Sequence, residues 1–450
     1  MAQDDDEEEP ALPSGLGDQD DDEPPVPAGL GETTSDEPVV VESAGRSLPF
    51  ELRGFADIRG GMRVRSDPDL ERPTLGEARL QLEVERSWTP LSLTARVAGD
   101  LLFDPVVGDY ELHLETGSGA VDLREANVVA SPLEALDVKV GRQILTWGTG
   151  DLVFINDLFP KDWTAFLVGR DIEYLKAPSD AVKLSGFHEL VNLDFAYTPV
   201  FDADRFPDRR RLSSWDPTQG RIAGADDQVP TVRPDRWFRD SEWAVRAHRR
   251  LGLFELAAYG YWGFWKSPAG ADPGSGSATF PALSVYGASI RAPLGRGIAN
   301  VEAGYCDSRD DRTGDDPLVR NDEVRALVGY ERELRPNVTL GAQYYVEWML
   351  DYEGYRAGIP AGSPTADEVR HVLTTRLTWL SRSQTVMSSL FVFVSPSDGD
   401  AYLIPQVTYH VDDHWRLQAG ANVFLGREDH TFFGQFENNT NVYAAARYAW

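Results

Sequence analysis

The chain has 450 residues, 42% hydrophobic and 26% charged, with 40 Gly, 29 Pro and a formal net charge of −30. It contains no apolar run of about eighteen residues, which excludes a transmembrane helix, and so acidic a chain lacks the basic face that sequence-independent nucleic-acid binding needs. Its one cysteine, Cys306, excludes an intramolecular disulfide and cannot by itself make a zinc site.

Residues 1–48 hold 15 Asp or Glu against one base, Arg46. The segment repeats itself crudely, Asp4 to Gly17 reading DDDEEEPALPSGLG and Asp20 to Gly31 reading DDDEPPVPAGLG. With almost no aromatic or β-branched residue before Val39 it cannot bury enough apolar surface to fold, and a disordered acidic Pro/Gly-rich periplasmic linker is expected there. Met1-Ala2-Gln3 opens it without a basic or apolar stretch, so no signal peptide is expected within it.

From residue 49 to 450 the period is two. Leu52, Gly54, Ala56, Ile58, Gly60, Met62 and Val64 alternate with Glu51, Arg53, Phe55, Asp57, Arg59, Gly61 and Arg63, longer than an ordinary strand. The second segment sets Ala78, Leu80, Leu82 and Val84 against Glu77, Arg79, Gln81, Glu83 and Glu85; the third sets Leu91, Leu93, Ala95, Val97, Leu101 and Phe103 against Ser92, Thr94, Arg96 and Asp100. Further strands fall near 121–131, 135–145, 180–188, 191–199, 241–251, 253–264, 282–293, 297–308, 321–333, 336–349, 367–380, 384–395, 400–411, 414–425 and 440–450, eighteen in all.

Connections alternate between short turns, such as Thr89-Pro90, Leu334-Arg335 and Asp412-Asp413, and long excursions, with 396–399 as the exception. Short turns on one side and long loops on the other predict an all-β transmembrane barrel, antiparallel and up-and-down, in a Gram-negative outer membrane. Lipid-facing aromatics should then gather at the two interfaces. Trp88, Trp379, Tyr409, Trp415 and Trp450 have that parity at short-turn ends, and Phe103, Trp243, Phe264, Tyr305 and Trp348 at long-loop ends. A soluble sandwich or propeller would also alternate, but it would not need strands of about ten to fourteen residues with a uniformly charged face.

If the apolar face meets lipid, the charged face lines the interior. Parity assigns to it Arg53, Arg59, Arg63, Arg79, Arg96, Lys139, Arg246 and Arg250 from the first half of the chain. Arg291, Arg325, Arg370, Arg376, Arg416 and Arg447 follow from the second half. Glu77, Glu83, Glu85, Asp100, Glu125, Asp137, Glu242, Glu255, Glu302, Glu323, Glu331 and Glu347 face them. One reading is a structural Arg–carboxylate ladder. The other is a pore in which surplus guanidiniums guide anionic or polyhydroxylated solutes, with Tyr259, Tyr261, Tyr345, Tyr402 and Tyr443 as platforms for sugar rings.

Loop 200–240 carries Arg209, Arg210, Arg211, Arg233 and Arg236, besides Arg205, Arg221 and Arg239; with loop 146–179 it is long enough to constrict the mouth. The same cluster could instead meet anionic surface glycolipid. The seven His have no Ser, Asp or metal-ligand partner at a defensible spacing, and the acidic stretch 307–316 lacks ordered calcium-ligand spacing. No enzyme activity, cofactor or metal is expected, the rival from that class being a barrel enzyme or a scaffold around a partner protein.

An Arg- and Glu-lined barrel whose fifth strand reads Val140-Gly141-Arg142-Gln143 and runs on to Trp147-Gly148 resembles the alginate-export and related exopolysaccharide-export porins. The resemblance implies a conduit for saccharide polymer, with a periplasmic export partner that the acidic segment would engage. The alternative within transport is a diffusion porin for small anionic or polar nutrients. A polymer conduit requires a lumen left open by its loops; a nutrient porin requires a narrow eyelet.

Overall fold

The computed structural model describes residues 50–450 except 90, 91, 115 and 229, so the acidic segment 1–48 lies outside the described residues. The wall strands are β1 (Glu51–Arg63), β2 (Pro73–Trp88), β3 (Leu93–Phe103), β4 (Val121–Leu133), β5 (Leu136–Ile144), β6 (Pro178–Gly186), β7 (Asn192–Thr198), β8 (Glu242–Leu251) and β9 (Phe254–Phe264). They continue as β10 (Ala282–Leu294), β11 (Gly297–Ser308), β12 (Glu323–Arg335), β13 (Val338–Met349), β14 (Val369–Ser381), β15 (Val386–Ser395), β16 (Asp400–His410), β17 (Trp415–Leu425) and β18 (Asn441–Ala449).

Each strand pairs antiparallel with its chain neighbours, and β1 closes the 18-stranded sheet on β18, from Phe55 opposite Ala449 to Arg63 opposite Asn441. Gly54 and Trp450 exchange backbone hydrogen bonds of 3.3 and 3.0 Å at the seam. Closure leaves no open edge, the condition for strands to cross hydrocarbon.

The two faces are inverted relative to a water-soluble protein. On β1, Ile58 is 69% exposed while the neighbouring Arg59 is 4% exposed. Leu82, Val97, Leu101, Val328 and Leu373 are likewise exposed, as are the rim aromatics Phe103, Trp243, Trp348, Trp379 and Trp415. This is the parity that the alternation predicts. β2 starts at Pro73, ahead of the readable alternation at Glu77, because β1 holds it in register up to Met62 opposite Pro73.

Among the described residues, two α-helices sit in the long connections. One is α1 (Trp163–Val168) between β5 and β6, and the other is α2 (Tyr352–Gly358) between β13 and β14. No helix among the described residues is long and apolar enough to cross a membrane.

Candidate functional site: a loop tied across the lumen

The loop from Leu145 to Ala177 runs inside the barrel and departs from the end of β5, where the backbone is unusual. Gly141 adopts φ +117°, and a Cβ there would stand 2.2 Å from the Ala126 carbonyl oxygen, so only glycine fits. Arg142 then forks onto Asp180 of β6 through bonds of 2.9 and 2.7 Å, and the buried Gln143 amide donates to Ala181 O at 2.9 Å. The Val-Gly-Arg-Gln motif is thus the device that aims the loop.

The descending limb seats on the inner face of β10 and β11. Gly287 and Gly304 are register partners there, and their missing side chains make a saddle for Ile155 and Asn156. Beside it the Glu302 carboxylate, 1% exposed, accepts Thr149 N–H (2.6 Å), Thr149 Oγ1 (2.9 Å), Asn156 N–H (3.0 Å) and Asn156 Nδ2 (2.9 Å). Asp151 reaches further, taking a fork from Arg376 of β14 (2.6 and 2.7 Å) while its backbone exchanges bonds with Gln343 of β13 (2.7 and 2.8 Å).

Beyond this the chain forms α1, capped by the Asp162 carboxylate on Ala165 N–H at 2.7 Å and closed by Gly169 at φ +87°. Phe166 packs edge-on against Tyr402 of β16 with centroids 5.4 Å apart, and the Tyr402 hydroxyl donates to Phe166 O at 3.0 Å. At the seam, Asp171 receives Arg59 of β1 (3.1 Å), Arg416 of β17 (2.5 Å) and Arg447 of β18. Arg170 pairs with Glu77 of β2 at 2.6 Å, and Tyr174 lies under Arg79 (4.1 Å) and Arg124 (4.8 Å) before the loop rejoins β6. The loop is therefore fastened to opposite sides of the wall.

The second long connection, 199–241, packs on the first. Asp204 accepts Lys161 N–H (2.7 Å) and Trp163 Nε1 (2.9 Å), and Arg205 forks onto Asp122 of β4 with two bonds of 2.9 Å. Lys266 Nζ donates to both Glu242 oxygens (2.7 and 2.6 Å) and to Asp202 O (2.9 Å). Removal from water, with Glu242 and Asp180 as like-charged neighbours and Lys266 opposing them, pushes the Asp202 carboxyl up to about 7.

This geometry divides the residues that parity placed on the inner wall. Arg59, Arg79 and Arg447 hold the loop, and Arg325 and Arg370 are tied to Glu323 (2.7 Å) and Asp398 (2.5 Å). Tyr261, Tyr345, Tyr402 and Tyr443 are buried. Tyr261 bonds Glu242 at 2.5 Å beneath Trp147, Phe159 and Trp265, so these rings floor the loops instead of facing an open lumen. Tyr259 bonds Ser289 at 2.9 Å. Arg53 is exposed on Glu51 at the short-turn end, where Arg250 also lies exposed, and Arg291 is half-buried opposite Glu255 in register.

The arginine cluster of the second loop is split as well. Arg209 bonds Asp216 (2.8 Å), Arg210 bonds Asp109 (3.0 Å) and Asp208 (2.6 Å), and Arg211 is buried on Asp104 and 3.5 Å from Glu77. Arg233 and Arg236 are exposed away from this group. Asp311, in the acidic stretch 307–316, accepts the backbone N–H groups of Thr313, Gly314 and Asp316 at 2.9 to 3.1 Å, a self-contained turn.

A group of cations remains turned toward the interior on β3, β5, β6 and β8, while the half-buried Glu85, Asp137, Glu255 and Glu331 keep acidic positions on the same inner face. Arg96, Lys139, Lys183 and Arg246 have side chains 27 to 38% exposed, while their partners Glu83, Glu125 and Asp194 are 6 to 17% exposed. The cations stand proud and the carboxylates lie beneath. Lys183, opposite Lys139 in register, was not singled out from the sequence although its parity is readable; Asp151 and Asp171 carry no such signal, because loop residues have no parity.

The described residues thus form a closed eighteen-stranded antiparallel barrel with a loop fastened across its lumen. Acinetobacter baumannii OccAB1 is similar in structure, with a TM-score of 0.52 at 10% identity, over 91% of this chain and 97% of that one. An outer membrane protein of Vibrio cholerae, OmpT lacking loop L8, gives 0.42 at 13% identity over 90% and 100%. A Rhodopseudomonas blastica porin mutant gives 0.39 at 10% over 89% and 100%. No family model and no curated protein sequence matches the chain.

Proposed function

We propose that the protein is a channel of the Gram-negative outer membrane that passes small anionic or polar solutes by diffusion. The observation that carries this reading is the loop Leu145–Ala177, tied to Glu302, Arg376, Tyr402 and Arg59 of the inner wall, a placement that favours a narrowed path over a wide bore. Porin-type barrels among the structural neighbours support a channel. The basic wall of Arg96, Lys139, Lys183 and Arg246 supports a preference for anions, because cations exposed above sheltered carboxylates present net positive potential to a passing solute. Export of saccharide polymer, the reading that resemblance to exopolysaccharide-export porins favours, needs an open lumen, and the ties of the loop count against it.

The test is single-channel recording in planar bilayers, with reversal potentials measured in a salt gradient. Small anion-selective conductance is expected, and Lys183→Gln with Arg246→Gln should move the reversal potential toward zero in a barrel that still folds. A large unselective conductance, unchanged by the two substitutions, would refute the proposal.

A further inference from the structure

The arginine-rich loop 199–241 has an outer part that serves none of the contacts above. Val232, Trp237 and Phe238 are 56, 59 and 71% exposed, and Arg233, Arg236 and Arg239 between and beside them are exposed too. The backbone holds the rings outward. Phe238 has φ +63°, a left-handed conformation that costs a non-glycine residue about 1 kcal/mol. Its N–H donates to Pro199 O at 2.7 Å, and Arg236 grips Asp240 through its backbone N–H (3.0 Å), Nε (3.1 Å) and Nη2 (3.2 Å).

Pro199 directly follows β7, which places Phe238 at the barrel rim. Near the start of β8 stands lipid-facing Trp243, packed at a tilt against Tyr197 (4.4 Å) and Phe195 (5.4 Å). The exposed rings therefore extend the aromatic belt upward from the hydrocarbon boundary, to the level at which lipid headgroups begin. Around them the charge is locally positive within a chain of net charge −30: Arg233, Arg236 and Arg239 against Asp235 and the buried Asp240. The Arg239 guanidinium makes no side-chain hydrogen bond among the described residues.

We propose that residues 232–239 are a binding site for a phosphorylated glycolipid of the outer leaflet. Trp237 and Phe238 enter the boundary between headgroup and acyl chain, and the Arg239 guanidinium takes a headgroup phosphate with its planar fork of donors, while the exposed Arg233 and Arg236 add positive charge beside it. A lipid is the occupant because the patch continues the lipid-facing belt. The inference rests on the outer-membrane placement of the barrel and is independent of what the channel passes.

The experiment is thermal unfolding of the full chain folded into phosphatidylcholine vesicles containing lipid A, dephosphorylated lipid A or neither. A higher unfolding midpoint is expected with lipid A alone. Arg239→Gln, which leaves the Arg236–Asp240 pair intact, should lose much of that increment. Phe238→Gly, which suits φ +63° and removes the ring, should lose it while unfolding normally in plain phosphatidylcholine. An equal increment in these variants, an increment with dephosphorylated lipid A, or its reproduction by inorganic phosphate overturns the site. Conductance in plain phosphatidylcholine bilayers reports on the channel separately, so the two proposals fail independently.

Discussion

Replacing Glu302 by Gln tests whether the loop is held by chemistry at the β10–β11 saddle. The buried carboxylate takes four donors, two on each oxygen, from Thr149 and Asn156. An amide keeps one oxygen for two of them and turns its own NH2 toward the other two. Charge-assisted bonds to a buried acceptor contribute about 1.5–3 kcal/mol each, so losing two weakens seating of the descending limb by about 3–6 kcal/mol. At about 1.4 kcal/mol per decade, the unseated fraction rises by two to four orders of magnitude.

The Arg376 fork on Asp151 and the three guanidiniums on Asp171 remain, so release should be confined to residues near 148–157. Ile155→Cys supplies the probe, since Ile155 is fully buried against Gly304 and the native Cys306 is also fully buried. Maleimide labelling of Ile155→Cys should accelerate at least a hundredfold when Glu302→Gln is added, and channel current should become noisier. An unchanged labelling rate together with an unchanged current would refute the anchoring argument.

Other perturbations separate the remaining parts of the account. Gly287→Ala puts a Cβ 1.8 Å from Asn156 Oδ1 and 2.6 Å from Ala303 O, so it should destabilise by about 1–3 kcal/mol in urea unfolding and raise conductance, whereas Gly60→Ala, with nothing within 4 Å, should do neither. Leu82→Arg or Val97→Arg on the lipid face should cost about 2–4 kcal/mol in vesicle unfolding. Arg246→Ala on the inner face should cost less, and equal losses would contradict the assigned parity. Because docking raises the Asp202 carboxyl to about 7, above its unfolded value, the docked loop 199–241 is favoured while that group is protonated and loses this contribution as pH rises through about 7. Hydrogen exchange of residues 200–206 should therefore speed up, beyond its intrinsic pH dependence, between about pH 4 and 7 and show no further excess above that. Asp202→Asn should abolish that excess.

The seating of the loop and the division of the arginines show where reading by pattern stops. The wall was legible strand by strand, because hydrocarbon outside and water inside force a period of two on each crossing, and Ile58 beside Arg59 declares its faces without any partner being known. The aromatic rims were legible for the same reason. The stretch Val140 to Gln143 is readable as a motif, yet the work of Gly141 there appears only once Ala126 O is beside it. Charge pairing was not legible. Arg96 and Arg79 have the same parity and the same chemistry, but Arg79 is buried over the Tyr174 ring and against Asp100, while Arg96 is part-exposed, and the difference comes from a loop distant in sequence. Tyr261 and Tyr402 read as platforms and are floors. Sequence alone determined the eighteen crossings, their direction and which face meets lipid, since a uniform solvent on each side imposes a local rule. Only the tertiary structure decided which charges are neutralised and how far the lumen is closed, since those depend on contacts such as Glu302 with Asn156 that bring together residues far apart in the chain.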